Sequence, residues 1–406
     1  MSRFILAALA ALAATGAFAQ SSVQIVGTFD PSIAATKTTY ASGASVSQNL
    51  IRNNSQGTSQ ITFKGTEDLG GGLKASFLME NDFDTRYDAN GPEGVSAGGV
   101  RGVNFGAFGG EQFLALEGGM GKIQIGAANT PTLTTQASRQ PFSTKIGGGF
   151  NTVLGTGHVR SNNSIVLTSP TFSGFTVAAA YGFKHNAFAT PGTGTVAQAN
   201  TNLGAASTNS TTDANQAAIS DVGVFYANGP IAAGVSVWNT ASYTQSTVSI
   251  VGGVVPSVTQ TNMFASYDLG VAKLTAGFHT EKQDATTSLA ATLSRPGGAN
   301  AEGWNLAAAV PLSANLSLLA NYGELKDKLA ARVAAPQNRK ITAVGLKYAL
   351  SKNTSVYARY VDETNDNISA AIGAGTLASG VLASTSTVGN TAKQVTTTLV
   401  GMQTNF

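Results

Sequence analysis

Five basic residues lie in a stretch of the sequence that contains no acidic residue. No aspartate or glutamate occurs between Glu117 and Asp213, and the basic residues there are Lys122, Arg139, Lys145, Arg160 and Lys184. Fixed positive charges that line a narrow passage create a field that favours anions over cations. Randomly placed charges on a solvated loop would give the same pattern. The choice between these interpretations depends on where the fold places the stretch.

Catalytic chemistry has few suitable residues. The three histidines, His158, His185 and His279, are far apart in the sequence, and there is no cysteine. Thiol chemistry and a cysteine-histidine zinc site are therefore excluded. A hydrolase built on His279 and a nearby serine would be matched by many serines, so no nucleophile is identified. We predict a protein that is not an enzyme and that has no cofactor and no metal site.

A run of acidic residues offers a second electrostatic feature. Glu80, Asp82, Asp84 and Asp88 follow one another at short spacing. The run lacks the glycine turn and the final glutamate of an EF-hand, so simple surface charge is favoured over calcium binding. In a channel, these side chains would lie opposite the basic residues and set up a transverse field.

The acidic run begins in a segment, residues 60–82, whose polarity alternates with a period of two. Its sequence, QITFKGTEDLGGGLKASFLMEND, predicts a β-hairpin with one polar and one apolar face around a glycine-rich turn. A soluble sandwich would bury the apolar face against a second sheet. A transmembrane barrel would turn that face to lipid and the polar face to a water-filled lumen. The charged residues on the polar face are Lys64, Lys74, Glu80 and Asp82.

The N-terminus has the pattern of a secretory signal peptide. Arg3 gives a positive first region, residues 4–14 form a short apolar core, and residues 17–19 read Ala-Phe-Ala. We predict cleavage between Ala19 and Gln20. The chain would then consist of a signal peptide, residues 1–19, and one mature domain, residues 20–406.

The composition favours the barrel over the sandwich. No segment approaches 18 continuous apolar residues, so a chain that spans the membrane must do so as a closed barrel. The sequence has 47 glycines, 11% charged residues and a formal net charge of +3. It has no cluster of lysines and arginines that would predict a nucleic-acid partner.

Short turns alternate with long polar loops along the chain. Seven turns rich in Gly, Pro, Asn, Asp or Ser are predicted, at 67–72, 118–121, 169–174, 228–230, 268–270, 311–315 and 351–354. Eight long loops are predicted between them, at 36–47, 84–105, 127–160, 185–218, 243–260, 283–301, 326–338 and 364–392. Fifteen connections require sixteen strands. We therefore predict an all-β, 16-stranded antiparallel transmembrane barrel with long extracellular loops and short periplasmic turns.

The last predicted strand, residues 393–406, ends on an aromatic residue. Phe406 shares one face of this strand with Val400 and Met402. Pairing with the first predicted strand, Ser22–Phe29, would close the barrel and remove both sheet edges. A terminal aromatic resembles the C-terminal signal of bacterial outer-membrane barrels, which implies that Phe406 is recognised by the barrel-assembly machinery.

Several segments resemble the Gram-negative general porin family, in particular its β-proteobacterial trimeric branch. They are SSVQIVGTFD, FKGTEDLGGGLKASFLMEND, GKIQIGAANTP, RSNNSIVLTSPTFSGFTVAAAYGF and AVGLKYALSKNTSVYARY. The resemblance implies a homotrimer in the outer membrane of a Gram-negative bacterium, in contact with lipid and lipopolysaccharide. It implies that each barrel is a pore for small hydrophilic solutes. It also implies that the third loop, Ala127–Arg160, folds into the lumen.

The candidate constriction combines this loop with the barrel wall. Arg139 and Lys145 are the candidates on the loop, and those on the wall are Lys64, Lys74, Glu80, Asp82 and Arg160. The family often has arginine where this chain has Gln60 and Ala127, so the predicted preference for anions is mild. The lumen positions are expected to be mostly polar or small, which argues against a path of aromatic residues for sugars.

The sequence thus predicts an outer-membrane porin for passive diffusion of small hydrophilic solutes and ions. Two alternatives stay open at this stage. One is a substrate-specific channel for organic anions, and the other is a surface adhesion or structural barrel protein.

Overall fold

The computed structural model describes most of the chain. The described residues are 22–83, 110–137, 140–149, 153–154, 160–161, 163–186, 215–216, 218–241, 243–247, 250–255, 257–283, 300–328, 338–365 and 392–406. The predicted cleavage site at Ala19 and Gln20 and the loop candidate Arg139 lie outside them.

The described residues are almost all in β-strands. The strands are β1 Ser22–Phe29, β2 Pro31–Tyr40, β3 Ser45–Asn53, β4 Gln60–Gly70, β5 Leu73–Asp82, β6 Gln112–Gly118, β7 Gly121–Ala127, β8 Ser164–Thr168, β9 Phe175–Gly182, β10 His185–Asn186, β11 Asn215–Gln216, β12 Ile219–Asn228, β13 Ile231–Thr240, β14 Tyr243–Thr247, β15 Ile250–Val255, β16 Val258–Asp268, β17 Lys273–Gln283, β18 Asn300–Pro311, β19 Leu316–Asp327, β20 Arg339–Ala349, β21 Thr354–Asn365 and β22 Ala392–Asn405. One helix, α1 Pro131–Ala137, follows β7. No helix in the described ranges is long and apolar enough to cross a membrane.

Eighteen of the strands form one antiparallel sheet that closes on itself. β1 and β2 are two halves of one barrel strand, separated at Asp30, and β3 and β4 are two halves of the next strand, separated by residues 54–59. The described part of the chain therefore forms the predicted barrel of sixteen antiparallel strands. The pairs β10–β11 and β14–β15 form two small separate sheets within the connections.

The predicted hairpin at residues 60–82 is confirmed as β4 and β5. Gln60 pairs with Asp82 and Thr66 with Ser76. The turn between the strands needs backbone angles that favour glycine, because Gly70, Gly71 and Gly72 have φ values of +82°, +61° and +80°. This requirement explains the run of three glycines in the sequence.

The first loop is shorter than predicted. It comprises residues 41–44 instead of 36–47, because β2 continues to Tyr40 and β3 begins at Ser45. The polar side chains of Thr36 and Thr38 suggested a loop, but both are buried on the inner face of the barrel. Because polar side chains are expected on the inner face of a barrel, they do not indicate where a strand ends.

The two faces of the barrel differ as the alternation predicted. Large apolar side chains are exposed on the outer face, for example Val23 at 68%, Leu114 at 63% and Val400 at 61%. An exposed apolar surface of this kind is typical of a barrel wall in contact with lipid. Polar side chains such as Asn305 and Gln260 lie buried on the inner face, against the segment that enters the barrel.

The third loop, between β7 and β8, lies inside the barrel. Helix α1 packs against β9, β12, β13 and β16. Farther along, the loop residues Phe142, Ile146, Val153 and Leu154 are buried against the wall. Their apolar partners on β2 and β18–β22 are Ala34, Ala301, Leu319, Leu325, Ile341, Ala343, Tyr357, Val361 and Leu399. The loop thus covers a large part of the inner wall and narrows the lumen.

The barrel closes through β2 more than through β1. β22 pairs with β2 from Ser32 to Tyr40, whereas β1 contributes only Thr28 and Phe29 to this contact. The predicted closure of the last strand on the first barrel strand is confirmed, but only the end of Ser22–Phe29 takes part in it. The register causes this, because the final residues of β22 lie opposite Thr28 and Phe29 and the rest of β22 lies alongside β2.

Phe406 completes the closure at the short-turn end. Its backbone N–H donates to the carbonyl of Gly27 at 3.0 Å, and the N–H of Gly27 donates to the carbonyl of Phe406 at 2.9 Å. A Cβ atom added at Gly27 would overlap the Phe406 ring and would lie 2.6 Å from the carbonyl oxygen of Gln60. Glycine is required here because the ring and the neighbouring strand approach the backbone closely.

We predict that Gly27→Val destabilises the barrel by about 1–3 kcal/mol, the usual effect of overpacking. The free energy of unfolding in urea, measured in lipid vesicles, tests this. Gly119→Ala is the matched control, because nothing lies within 4 Å of an added Cβ atom there. Equal stability of the two variants would show that the contact between Gly27 and Phe406 is loose.

Candidate functional site

The second barrel strand is interrupted by residues 54–59, here called the inward segment, which fold onto the inner face of the barrel. Ser55 Oγ lies 2.7 Å from Ser32 Oγ on β2. The side-chain amide of Gln56 donates to Ser355 Oγ at 2.9 Å and to Gln403 Oε1 at 2.6 Å. The inward segment therefore reaches across two neighbouring strands, β22 and β21.

The carboxylate of Asp30 holds the inward segment. Asp30 is completely buried. Its Oδ2 accepts hydrogen bonds from the backbone N–H groups of Gln56 at 2.5 Å and Gly57 at 2.8 Å. Its Oδ1 accepts the hydroxyl of Tyr357 at 2.5 Å. Three donors compensate the buried charge, as a buried carboxylate requires.

Arg359 joins the inward segment to the third loop. Its guanidinium donates to the carbonyl oxygen of Ser55 and, at 2.7 Å, to the carbonyl oxygen of Ile146 on the loop. The guanidinium also stacks between two aromatic rings, 5.0 Å from the centroid of Phe142 and 5.1 Å from that of Tyr357. Arg359 is 4% exposed, so this buried side chain joins the inward segment and the third loop to the inner face of the barrel.

Lys145 presents the charge of the loop to the lumen. Its ammonium group donates to Thr58 Oγ1, on the inward segment, at 2.5 Å. Burial lowers the pKa of Lys145 from its ordinary value, and the carboxylates of Asp82, Asp30 and Glu80 oppose this shift. The loop cation is thus fixed between the loop and the second barrel strand.

Glu80 and Asp82 lie beside a basic residue. Arg160 places its guanidinium nitrogens 3.9 Å from Glu80 Oε1 and 3.9 Å from Asp82 Oδ2. Gln60 Nε2 also donates to Glu80 Oε2, at 2.7 Å. Glu80 and Asp82 were predicted to lie opposite the basic residues, but they lie beside Arg160. The prediction is therefore wrong for these two acidic residues. The cause is that Arg160 bridges to Asn129 next to the end of β7, and so reaches the acidic wall.

The start of the third loop is anchored by polar contacts. Asp221 on β12 accepts the backbone N–H of Thr132 at 2.7 Å and its hydroxyl at 2.9 Å. Gln136 donates to Asn262 Oδ1 on β16 at 2.8 Å, and the same oxygen lies 2.7 Å from His279 Nδ1. His279 is thus part of a buried polar network beneath the loop.

The remaining candidates lie along the wall. Lys64 faces the lumen and pairs with Leu78 on β5. This pair lies one lumen-facing position closer to the short turns than the pair formed by Thr62 and Glu80. Lys74 lies on the neighbouring strand β5, closer to the short turn, and pairs with Glu117 on β6. The structure thus brings Lys145, Arg160, Glu80 and Asp82 to one level of the lumen and leaves Lys64 and Lys74 nearer the short-turn end.

Sequence reasoning missed two residues of this site. Asp30 follows the first strand and was assigned no role, and Arg359 was treated as part of an ordinary strand. One available signal was the parity of β21, since Arg359 shares its face with Ser355 and Tyr357. Nothing in the sequence pattern identified their contacts with the inward segment.

Comparisons with known proteins agree with this architecture. A family model described as Gram-negative porin matches residues 6–368. The chain is 32% identical over 280 residues to outer membrane porin protein 32 of Delftia acidovorans, which covers 66% of this chain and 67% of the relative. It is 34% identical over 130 residues to the major outer membrane protein P.IB of Neisseria gonorrhoeae, which covers 32% and 33%. The solved structure of an anion-selective porin from Comamonas acidovorans matches with a TM-score of 0.65 and 24% identity, covering 95% of this chain and 100% of that one.

We predict that Tyr357→Phe costs about 1.5–3 kcal/mol of unfolding free energy, the usual contribution of a hydrogen bond to a charged group. Asp30→Asn should cost about 1.5–3 kcal/mol, because it removes the charge that three donors share. The double variant should cost less than the sum of the single variants, since both remove the same contact. Urea unfolding in vesicles provides the three values, and strict additivity would contradict the coupling.

Proposed function

Since the chain belongs to the Gram-negative porin family, we propose that it is an outer-membrane channel for passive diffusion of small hydrophilic solutes, with a mild preference for anions. The observation that carries this proposal is the third loop inside the barrel, held to the wall by Arg359 and to the inward segment by Lys145. A fixed loop leaves a passage of defined width and charge.

The charges at the throat support the preference for anions. Glu80 and Asp82 both lie within 4 Å of Arg160, so each negative charge is partly compensated. The carboxylate of Glu111 is also engaged, because it accepts two hydrogen bonds from Asn129, at 2.9 and 3.0 Å. Lys145 donates to the neutral hydroxyl of Thr58 and lies in the field of Asp82, Asp30 and Glu80. Lys145 and Arg160 thus compensate much of the acidic charge at this level, and the proposed preference for anions depends on these two cations.

The description of one structural neighbour agrees with this preference. The structural neighbour from Comamonas acidovorans is described as an anion-selective porin. The family and the fold are those of channel proteins, and we assign this chain no enzymatic activity.

The assembly proposed for this chain is a homotrimer in the outer membrane. The exposed apolar outer face, with residues such as Ile25 and Ile33, supports contact with lipid, including lipopolysaccharide, or with neighbouring subunits. If cross-linking of the purified protein gives no trimers, the proposed homotrimer is contradicted.

We further propose that Phe406 serves as the signal to the barrel-assembly machinery, and that export is followed by cleavage between Ala19 and Gln20.

We predict that Lys145→Glu lowers the permeability ratio of chloride to potassium by roughly three- to tenfold. A change of two charge units within about 5–8 Å of a permeating ion alters its energy by about 1–1.7 kcal/mol in water, before salt screening. The reversal potential of the refolded channel in a planar bilayer under a KCl gradient measures the ratio.

Lys352→Glu is the control for this measurement, because Lys352 is exposed in the turn between β20 and β21, away from the third loop. It makes the same change in net charge and should leave the ratio unchanged. Equal effects of the two variants would place the selecting charge elsewhere.

A further inference from the structure

A cavity lies in the inner wall between the throat and the short-turn end of the barrel. It has a volume of about 290 Å³ and its main lining side chains are Gln24, Lys64, Thr66, Ser76, Leu78 and Phe113. The volume is at the lower end of the range of about 300–1,000 Å³ that is usual for small-molecule sites. A solute that has passed Glu80 and Arg160 reaches this cavity next.

Strand register shows that the cavity faces the lumen. Gln24, Lys64, Leu78 and Phe113 form one row across β1, β4, β5 and β6. The neighbouring row toward the throat contains Glu80, which contacts Arg160 in the lumen. The side chains of opposite parity, such as Leu114, are exposed on the outer face.

Two apolar side chains lie on this lumen face, where mostly polar or small residues were expected. Leu78 and Phe113 lie side by side in the row. Phe113 is fixed because it packs against Ala128, Val166 and Ala180. A rigid apolar surface next to polar groups is typical of a site for an organic molecule, since a hydrated inorganic ion gains nothing from it.

Cations border the apolar surface. Lys64 lies next to Leu78 in the row, and the ammonium of Lys122 lies 4.8 Å from the centroid of the Phe113 ring. The hydroxyls of Thr66 and Ser76 and the amide of Gln24 supply hydrogen-bond donors. These groups match one carboxylate attached to a compact apolar body.

We propose that this cavity is a binding subsite for monocarboxylates with a compact apolar or aromatic body. Lys64 binds the carboxylate, and Leu78 and Phe113 contact the apolar body. This inference rests on the proposed channel function. The subsite adds saturable binding of one solute class to a pore that otherwise passes anions by size and charge.

Benzoate is the probe for this subsite. In a planar bilayer with a chloride current, benzoate should block wild-type channels in a saturable manner, whereas the neutral isostere benzamide should not. Lys64→Gln should raise the half-blocking concentration roughly tenfold, as loss of a hydrogen bond to a charged group predicts. Leu78→Ser should raise it roughly three- to tenfold through lost apolar contact.

Lys352→Gln is the control variant, because it removes one exposed charge far from the cavity. Its half-blocking concentration should equal that of the wild type. Equal block of the wild type, Lys64→Gln and Leu78→Ser overturns the subsite, and so does a wild-type chloride current without saturable block. Both of these results leave the channel function standing, whereas a refolded protein that carries no chloride current contradicts the channel itself.

Discussion

A single buried carboxylate holds the inward segment against the inner face of the barrel. Asp30 accepts two backbone amides of the inward segment and the hydroxyl of Tyr357. Together with the contacts of Ser55 and Gln56 with the wall, these bonds stabilise the inward fold of residues 54–59, and they pair backbone groups that a continuous second strand would pair in the sheet. The cost of burying one charge is thus offset by donors that the inward fold itself supplies.

The third loop depends on the same arrangement. Arg359 contacts the inward segment at Ser55 and the loop at Ile146, and Phe142 and Tyr357 enclose its guanidinium. Apolar packing fixes the middle of the loop, and the polar contacts determine the position of Lys145. A positive charge selects ions only when its position is fixed, since a mobile side chain would average its field over the passage. The wall, the inward segment and the loop therefore form one unit.

The sequence predicted the barrel well and its interior less well. Alternation in residues 60–82 and the three glycines after Leu69 were sufficient for the hairpin, because lipid and water impose opposite polarity on the two faces. The contact of Asp30 with Tyr357 and those of Arg359 with Ser55 and Ile146 join residues that are 213 to 327 positions apart, and no local pattern encodes them. The same limit explains the first loop: Thr36 and Thr38 have the polarity of a loop and the position of an inner wall. Leu78 interrupts the alternation in residues 60–82, but no role was assigned to it from the sequence.

The contact between Asp30 and Tyr357 spans 327 residues of the chain and crosses the seam where the first and last barrel strands meet. Contacts between such distant residues form late in folding, because the entropy of closing so large a loop must first be offset by the intervening hairpins. The bonds that join the inward segment to β21 and β22 therefore form only when the seam is sealed, although its bonds to Asp30 join neighbouring strands. A half-built barrel therefore has an open edge and an unassembled throat at the same time, and the channel acquires its selectivity in the same step that makes it a barrel.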